Sequence, residues 1–288
     1  MKPGDFLIAL LVVTVWGGNF VAMRTGVLDL PPYMTLGCRM VIASAVLVWF
    51  LKSPKGQWGA LLLISFTLST LHFGLGLVGV QHVQAGTGAI AMQSSVPFAA
   101  IIAWLVYRET FGWQRFWGMI ISFAGIMIIA GSPTLEGNVM MLGVMVVSAF
   151  FFSVASILIR RLRGIDFVSL NGWVSLLALP QAFLVSALIE QDHLAAAANA
   201  QWQAWAGIAY MALGATIIGQ GFWYRLLARY ETNKVMPFTL LVPVLGVLFG
   251  VLLLDEVLSL QMVGGGLVTI AGVAIILSYR GGRKAAES

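Results

Sequence analysis

At 288 residues, with 60% hydrophobic and only 9% charged side chains, the chain lacks the polar surface of a soluble domain, in which roughly a quarter of residues are charged. Its net charge of +5 comes from basic residues scattered over short stretches, which argues against a nucleic-acid partner and reads as a topology signal. The single cysteine, Cys38, excludes an intrachain disulfide and reads as a small buried filler within an apolar run.

With lipid as the main solvent, every backbone polar group must bond internally, which leaves helices or a closed barrel. Crossing about 30 Å of hydrocarbon takes a helix of about 20 apolar residues, and uninterrupted runs of that length do not carry the alternation of a barrel strand. Ten spans are predicted: 5–25, 32–51, 58–80, 84–106, 113–131, 138–159, 167–189, 202–224, 233–254 and 261–279. Met1–Lys2 followed by an apolar run resembles the start of a signal peptide. No small-residue cleavage site follows, and Trp16, Asn19 and Arg24 interrupt the run, so it is read as the first span. Short connections make successive spans antiparallel. Lys2, Lys52, Lys55, Arg108, Arg115, Arg160, Arg161, Arg163, Arg225, Arg229, Lys234, Arg280, Arg283 and Lys284 then fall on one side, 14 of the 16 basic residues. Only Arg24 and Arg39, in spans 1 and 2, depart from this. Such a bias orients both termini to the cytoplasm.

Residues 93–131 and 239–278 echo one another. Each has an apolar helix with a proline near its start, a charged hinge, and a second helix studded with glycine. Pro97 and Pro243 occupy equivalent places, and after a slip of one residue Glu109, Gln114, Gly118 and Gly125 match Glu256, Gln261, Gly265 and Gly272 at one offset. The chain therefore reads as a duplication, with a first five-helix repeat at 1–131 and a second at 132–288 that ends in a short basic tail. Five is odd, so the second repeat inserts upside down. Inverted repeats characterise transporters, whose substrate site lies near the midplane between the repeats.

WGGNFVAMRTG in span 1, LPPYMTLGCRM entering span 2, VPF and RET in span 4, and LARYETNKVMPFTLLVPVLGVLFGVLLLDEVLSLQ across spans 8 to 10 resemble the EamA-type transporters of the drug/metabolite transporter superfamily. The resemblance covers nearly the whole chain. It implies ten helices in two inverted repeats and the efflux of small metabolites, with cysteine-pathway or aromatic amino acids as substrates of related branches.

All eleven acidic residues fall in loops or at helix ends. No carboxylate is expected at the midplane, which weakens a buried Asp or Glu ion carrier and argues against strongly cationic substrates. Glu109, Asp255 and Glu256, just before spans 5 and 10, read as helix-start stabilisers. Gln93, Pro97, Ala100 and Trp104 in span 4, and Thr239, Pro243, Gly246 and Gly250 in span 9, each share one helical face. One reading makes these faces a substrate-binding wall, with Pro97 and Pro243 as hinges that free backbone carbonyls. The other makes the prolines packing kinks and Trp104 an interfacial anchor. His72 and Gln220 fall at equivalent places in spans 3 and 8. His72 is suited to a cavity or to proton coupling, and Gln220 to an ammonium or carboxylate group, while an interhelical bond would serve either equally. Asn19 and Trp173 join them as candidate substrate-binding residues, with Trp16, Phe20 and Asn171 nearby. Arg39 lies about 10 Å into span 2, within reach of the outer interface by snorkelling, and is read as structural rather than as a carboxylate anchor. His82 and His193 read as solvated loop residues. Gly118–Ser122–Gly125 and Gly265–Thr269–Gly272 read as close helix packing within the bundle.

The expectation is an all-α, multi-pass protein of a bacterial inner membrane that exports amino acids and related small neutral or zwitterionic metabolites by alternating access. Spans 3, 4, 8 and 9 would line the path, and transport would be facilitative or proton-coupled. The alternative is a multidrug or nucleotide-sugar carrier of the same fold. Phosphates call for several basic residues in the cavity, which Arg39 alone does not supply. No enzyme is expected, since the aspartates are peripheral, His72 has no acidic partner and no H-E-x-x-H occurs. No cofactor or metal is implied. The partners are a small-molecule substrate and the lipid bilayer, with no nucleic acid, and the assembly is a monomer or homodimer.

Overall fold

The computed structural model describes residues 1–54, 56–107, 112–132, 135, 138–230 and 232–278. Lys55, Arg108, Glu109, Arg280, Arg283 and Lys284 lie outside the described residues. Among those described, helix and connecting turns make up the whole fold, with no strand.

The helices α1 (Pro3–Asp29), α2 (Pro32–Phe50), α3 (Trp58–Val80), α4 (Ala85–Tyr107), α5 (Trp113–Ala130), α6 (Val139–Arg160), α7 (Phe167–Ile189), α9 (Met236–Leu254) and α10 (Leu260–Ser278) are long and apolar enough to cross a bilayer. Between α7 and α9 an unbroken helix, α8, covers 202–229, and Gln203, Gln220 and Arg225 make it more polar than its neighbours. A short helix over His193–Asn199 precedes it, in a connection read from sequence as plain loop. Proline sits in the first turn of α1 and α2, where a missing N–H costs nothing. The Asp166 carboxylate caps α7 by accepting from the Ser169 amide at 3.0 Å. That amide, with Lys52 alongside at 3.1 Å, holds the Asp166 carboxyl below the usual carboxylate range.

Five of the helices change their winding along their length, α2 only in a last 3₁₀ turn at Val48–Phe50. α3 widens into π-helical turns over Phe66–Phe73, and α8 does so over Tyr210–Gly219. α4 tightens to a 3₁₀ turn at Met92–Ser94 and α9 at Met236–Leu240, each shortly before a proline. The proline at 243 deprives the carbonyl of Thr239, four residues earlier, of its helical N–H. Gln93 Nε2 donates to that carbonyl at 3.4 Å. The predicted faces of spans 4 and 9 thus touch at their first residues, Gln93 and Thr239.

In the bundle, α5 packs along α10 and α2 along α7, α1 rests on α8 and α9, and α6 rests on α3 and α4. The α5–α10 crossing is the tightest. A Cβ at Gly272 would stand 2.6 Å from the Gly118 carbonyl oxygen, and one at Gly125 would stand 2.5 Å from that of Gly265. The predicted glycine stripes therefore pack on each other inside the bundle.

Helix ends gather into a basic end, bearing Lys52, Arg160 and Arg229, and an acidic end, bearing Asp29, Glu190 and Glu256. The acidic end is closed by long-range hydrogen bonds. Glu190 accepts from the amides of Tyr33 at 2.7 Å and Met34 at 3.0 Å, capping α2. Glu256 accepts from the amides of Ala85 and, at 3.0 Å, Gly86, capping α4. Arg24 Nη1 donates to the carbonyls of Val80 at 2.8 Å and Gln81. Two expectations are corrected here. Glu256 stabilises the start of α4 rather than of its own neighbour α10, because the chain folds α4's exposed amides onto it. Asp255 is the left-handed residue that ends α9, at φ 53°.

Candidate functional site

A cavity of about 430 Å³ lies among α1, α3, α6, α7 and α8. Its walls run from Met23 and Gly76, in the half nearer the acidic end, to Ile159, Phe167, Leu227 and Met236 at the basic end. The expectation that spans 3, 4, 8 and 9 line the path is corrected. α3 and α8 line it as expected, but among the described residues α4 contributes only Met92 and α9 only Met236 and Val242, with Gln93 turned to the Thr239 carbonyl instead.

The irregular turns place the polar groups. In the π segment of α8, Thr216 donates its hydroxyl to the Met211 carbonyl at 3.0 Å, five residues back, and accepts from Arg39 Nη2 at 2.9 Å. Arg39 is only 2% exposed. Its guanidinium carbon stands 4.1 Å over the Phe73 ring, and its Nε and Nη1 meet no acceptor. Arg39 does not snorkel outward, which corrects the sequence reading, since α2 turns that side chain inward against α3 and α8. On α3, the imidazole of His72 donates from Nδ1 to the Ser148 carbonyl at 3.1 Å, while the Ser148 hydroxyl donates to the His72 carbonyl at 2.8 Å. Its ring packs against Phe73 at 4.7 Å and Phe152 at 5.0 Å, so His72 and Arg39 share contact with the Phe73 ring.

Across the cavity, Trp16 donates from Nε1 to the Ala215 carbonyl at 3.3 Å and packs on Trp223 at 5.1 Å. Tyr224 stacks on Phe167 at 3.9 Å. The Asn19 amide nitrogen approaches Met23 Sδ at 3.3 Å, and its Oδ1 is buried without a donor. Among the described residues no carboxylate lines this space, and Arg39 supplies its one fixed charge. The cavity thus offers a cation, amide groups and aromatic faces in a setting of low dielectric.

Of the residues singled out from sequence, His72, Gln220 and Asn19 line the cavity together with Trp16, Phe20 and Asn171. Gln93 and Thr239 lie at the α4–α9 contact, with Pro97 and Pro243 buried in the same two helices. Trp104 is 45% exposed on the outer surface, since the last turns of α4 run beyond the cavity. Trp173 sits at the basic end, donating from Nε1 to the Lys52 carbonyl at 2.8 Å and packing edge-on against Trp58. His193 is bonded to Ser186 Oγ at 2.9 Å rather than solvated. The residues underweighted from sequence are Arg39, Trp223, Tyr224 and Phe152. For Arg39 the signal was present, since a charge within a span is costly and usually faces a cavity.

A family model described as the EamA-like transporter family matches this chain twice, over residues 3–131 and 139–278. A protein named "Probable amino-acid metabolite efflux pump" from Escherichia coli K12 is 29% identical, with 93% of each chain covered. Its namesake from Salmonella typhimurium is 28% identical over 100% of both chains. An uncharacterised transporter from Archaeoglobus fulgidus is 24% identical, covering 95% of this chain and 97% of its own. A solved crystal structure with 16% sequence identity matches at a TM-score of 0.68 over 97% of this chain and 100% of its own, a likeness that concerns the fold alone. With both halves of an all-helical, multi-pass chain accounted for by one description, the protein belongs to the EamA-like transporter family and is a membrane transporter.

Proposed function

We propose that the protein exports amino acids and related small neutral or zwitterionic metabolites across a bacterial inner membrane by alternating access. The observation that carries this reading is the cavity itself. It combines one buried cation, unbonded amide oxygen and aromatic faces, reaches the basic end, and is sealed at the acidic end by Glu190, Glu256 and Arg24. The names of the Escherichia coli and Salmonella relatives support the substrate class.

The ten helices are read as two inverted five-helix repeats, 1–131 and 132–288, with both termini in the cytoplasm. Exchanging each helix of one half with its counterpart leaves the packing scheme unchanged, since α1 on α8 and α9 becomes α6 on α3 and α4, while α2–α7 and α5–α10 map onto themselves. The paired π segments of α3 and α8, and the paired 3₁₀ turns of α4 and α9, follow the same exchange. On this reading the basic end is cytoplasmic, so the described conformation faces inward, and the repeats rock about the cavity to open the other side. One chain encloses the cavity, so a monomer suffices. A multidrug or nucleotide-sugar carrier is the weaker reading, because diphosphates need more positive charge than Arg39 provides.

Counterflow in proteoliposomes loaded with one unlabelled neutral amino acid tests this. Labelled neutral amino acids should accumulate whether or not a pH gradient is imposed. A gradient-dependent signal that disappears in His72→Ala would instead establish proton coupling through His72. Exchange of drugs or sugars with no exchange of any amino acid would overturn the substrate reading.

A further inference from the structure

Arg39 carries more hydrogen-bonding capacity than its protein partners use. A guanidinium has five N–H donors and no acceptor. Thr216 Oγ1 takes one, and the Phe73 ring, 4.1 Å from the guanidinium carbon, offers no lone-pair acceptor. Nε and Nη1 remain buried and unmatched, on a side chain that lines the cavity. An ionised group held this way in an apolar interior is costly unless another charge or several hydrogen bonds compensate it. No described carboxylate faces the cavity to do so. An interhelical tie to Thr216 would use one N–H and would not need a permanent charge.

We infer that Arg39 is the substrate's carboxylate anchor, and hence that the cavity selects small monocarboxylates by charge. This rests on the transport reading above and deepens it. A carboxylate accepts paired N–H donors from arginine and cancels its charge, which an alcohol, an amide or an amine does not do. A phosphate would bring further negative charge, and among the described residues no second cation lines the cavity to meet it. The opposite pole of an amino acid also finds a match, since the unbonded Asn19 Oδ1 is an acceptor for an ammonium group and Trp16 and Trp223 present aromatic faces nearby.

The test uses the full-length protein in proteoliposomes, with labelled phenylalanine and labelled 3-phenylpropionate as probes in counterflow. Unlabelled phenylalanine, its carboxamide, its decarboxylated amine, its N-acetyl derivative and phosphoserine serve as competitors. Losing the carboxylate should weaken competition roughly 10- to 100-fold, the range for a hydrogen bond to a charged group. N-acetylation should cost less, and phosphoserine should not compete. Arg39→Gln should abolish the preference for acid over carboxamide, and Arg39→Lys should keep the preference with weaker binding. A purely structural arginine predicts lower thermal stability in both variants with the acid preference intact. If Arg39→Gln does not fold, competition on the native protein still decides. Equal competition by acid and carboxamide, or no exchange and no quenching of cavity tryptophan fluorescence by any carboxylate, overturns the anchor. Exchange of 3-phenylpropionate without phenylalanine would leave the anchor standing and remove the amino-acid reading.

Discussion

Gly272→Val should yield a protein that no longer holds its bundle together on heating in detergent. The side chain would begin 2.6 Å from the Gly118 carbonyl oxygen, a backbone atom of the facing helix that no rotamer change can move. α5 and α10 would have to separate along their whole crossing. Overpacking a tight contact costs about 1–3 kcal/mol. Applied at the top of that range, it lowers the apparent Tm by about 5–10 °C in a chain of this size. Gly264→Val is the matched control, because nothing lies within 4 Å of its Cβ. Fluorescence-detected size exclusion after a heat ramp reads both. Equal melting of the two variants would refute the account. Neither helix contributes to the cavity lining, so whatever Gly272→Val protein survives should keep its substrate preference.

The second large effect is expected at the acidic end. Glu256→Gln replaces a carboxylate that holds two backbone amides with an amide that presents a single acceptor oxygen. Hydrogen bonds to a charged group contribute about 1.5–3 kcal/mol, and each 1.4 kcal/mol is a factor of about ten in an equilibrium. The population open at the acidic end should therefore rise about tenfold. The measurement places Met23→Cys, on the cavity wall, in a Cys38→Ala background and follows labelling by an impermeant maleimide from the acidic-end side. Unchanged labelling in Glu256→Gln would show that this latch does not hold the seal.

The spans were legible because lipid imposes a simple rule on length and apolarity, and the helices fall within a turn of the predicted ranges at most ends. The partners of polar side chains were less legible. Glu256 was assigned to the nearest helix start in sequence, but the amides it caps are 171 and 170 residues away, and nothing local announces them. Arg39 could be placed in depth along α2. Its rotation could not, because the helix is apolar on most sides and gives no direction for the charge. Gln93 and Pro97 were assigned to one face, and so were Thr239 and Pro243. What sequence alone could not supply was that Gln93 is turned to the Thr239 carbonyl. In α3 and α8 the wider π turns alter the 3.6-residue period on which such faces are drawn, so Leu68 and His72 on one side, and Ala215 and Gln220 on the other, reach the same cavity at unequal spacings.

The solitary charge of the cavity also bears on what could drive cargo through it. Each net charge crossing an interior-negative membrane gains or loses about 2.3 kcal/mol per 100 mV. On the facilitative reading proposed above, a zwitterion seated on Arg39 adds no net charge, so the voltage neither pulls nor resists it, and its concentration ratio sets the direction. A carboxylate lacking the ammonium group would occupy the same anchor as an anion, and the resting potential would expel it even against a gradient. With no carboxylate among the described residues of the walls to mask that difference, the passenger's own amino group decides whether the journey is electrically silent.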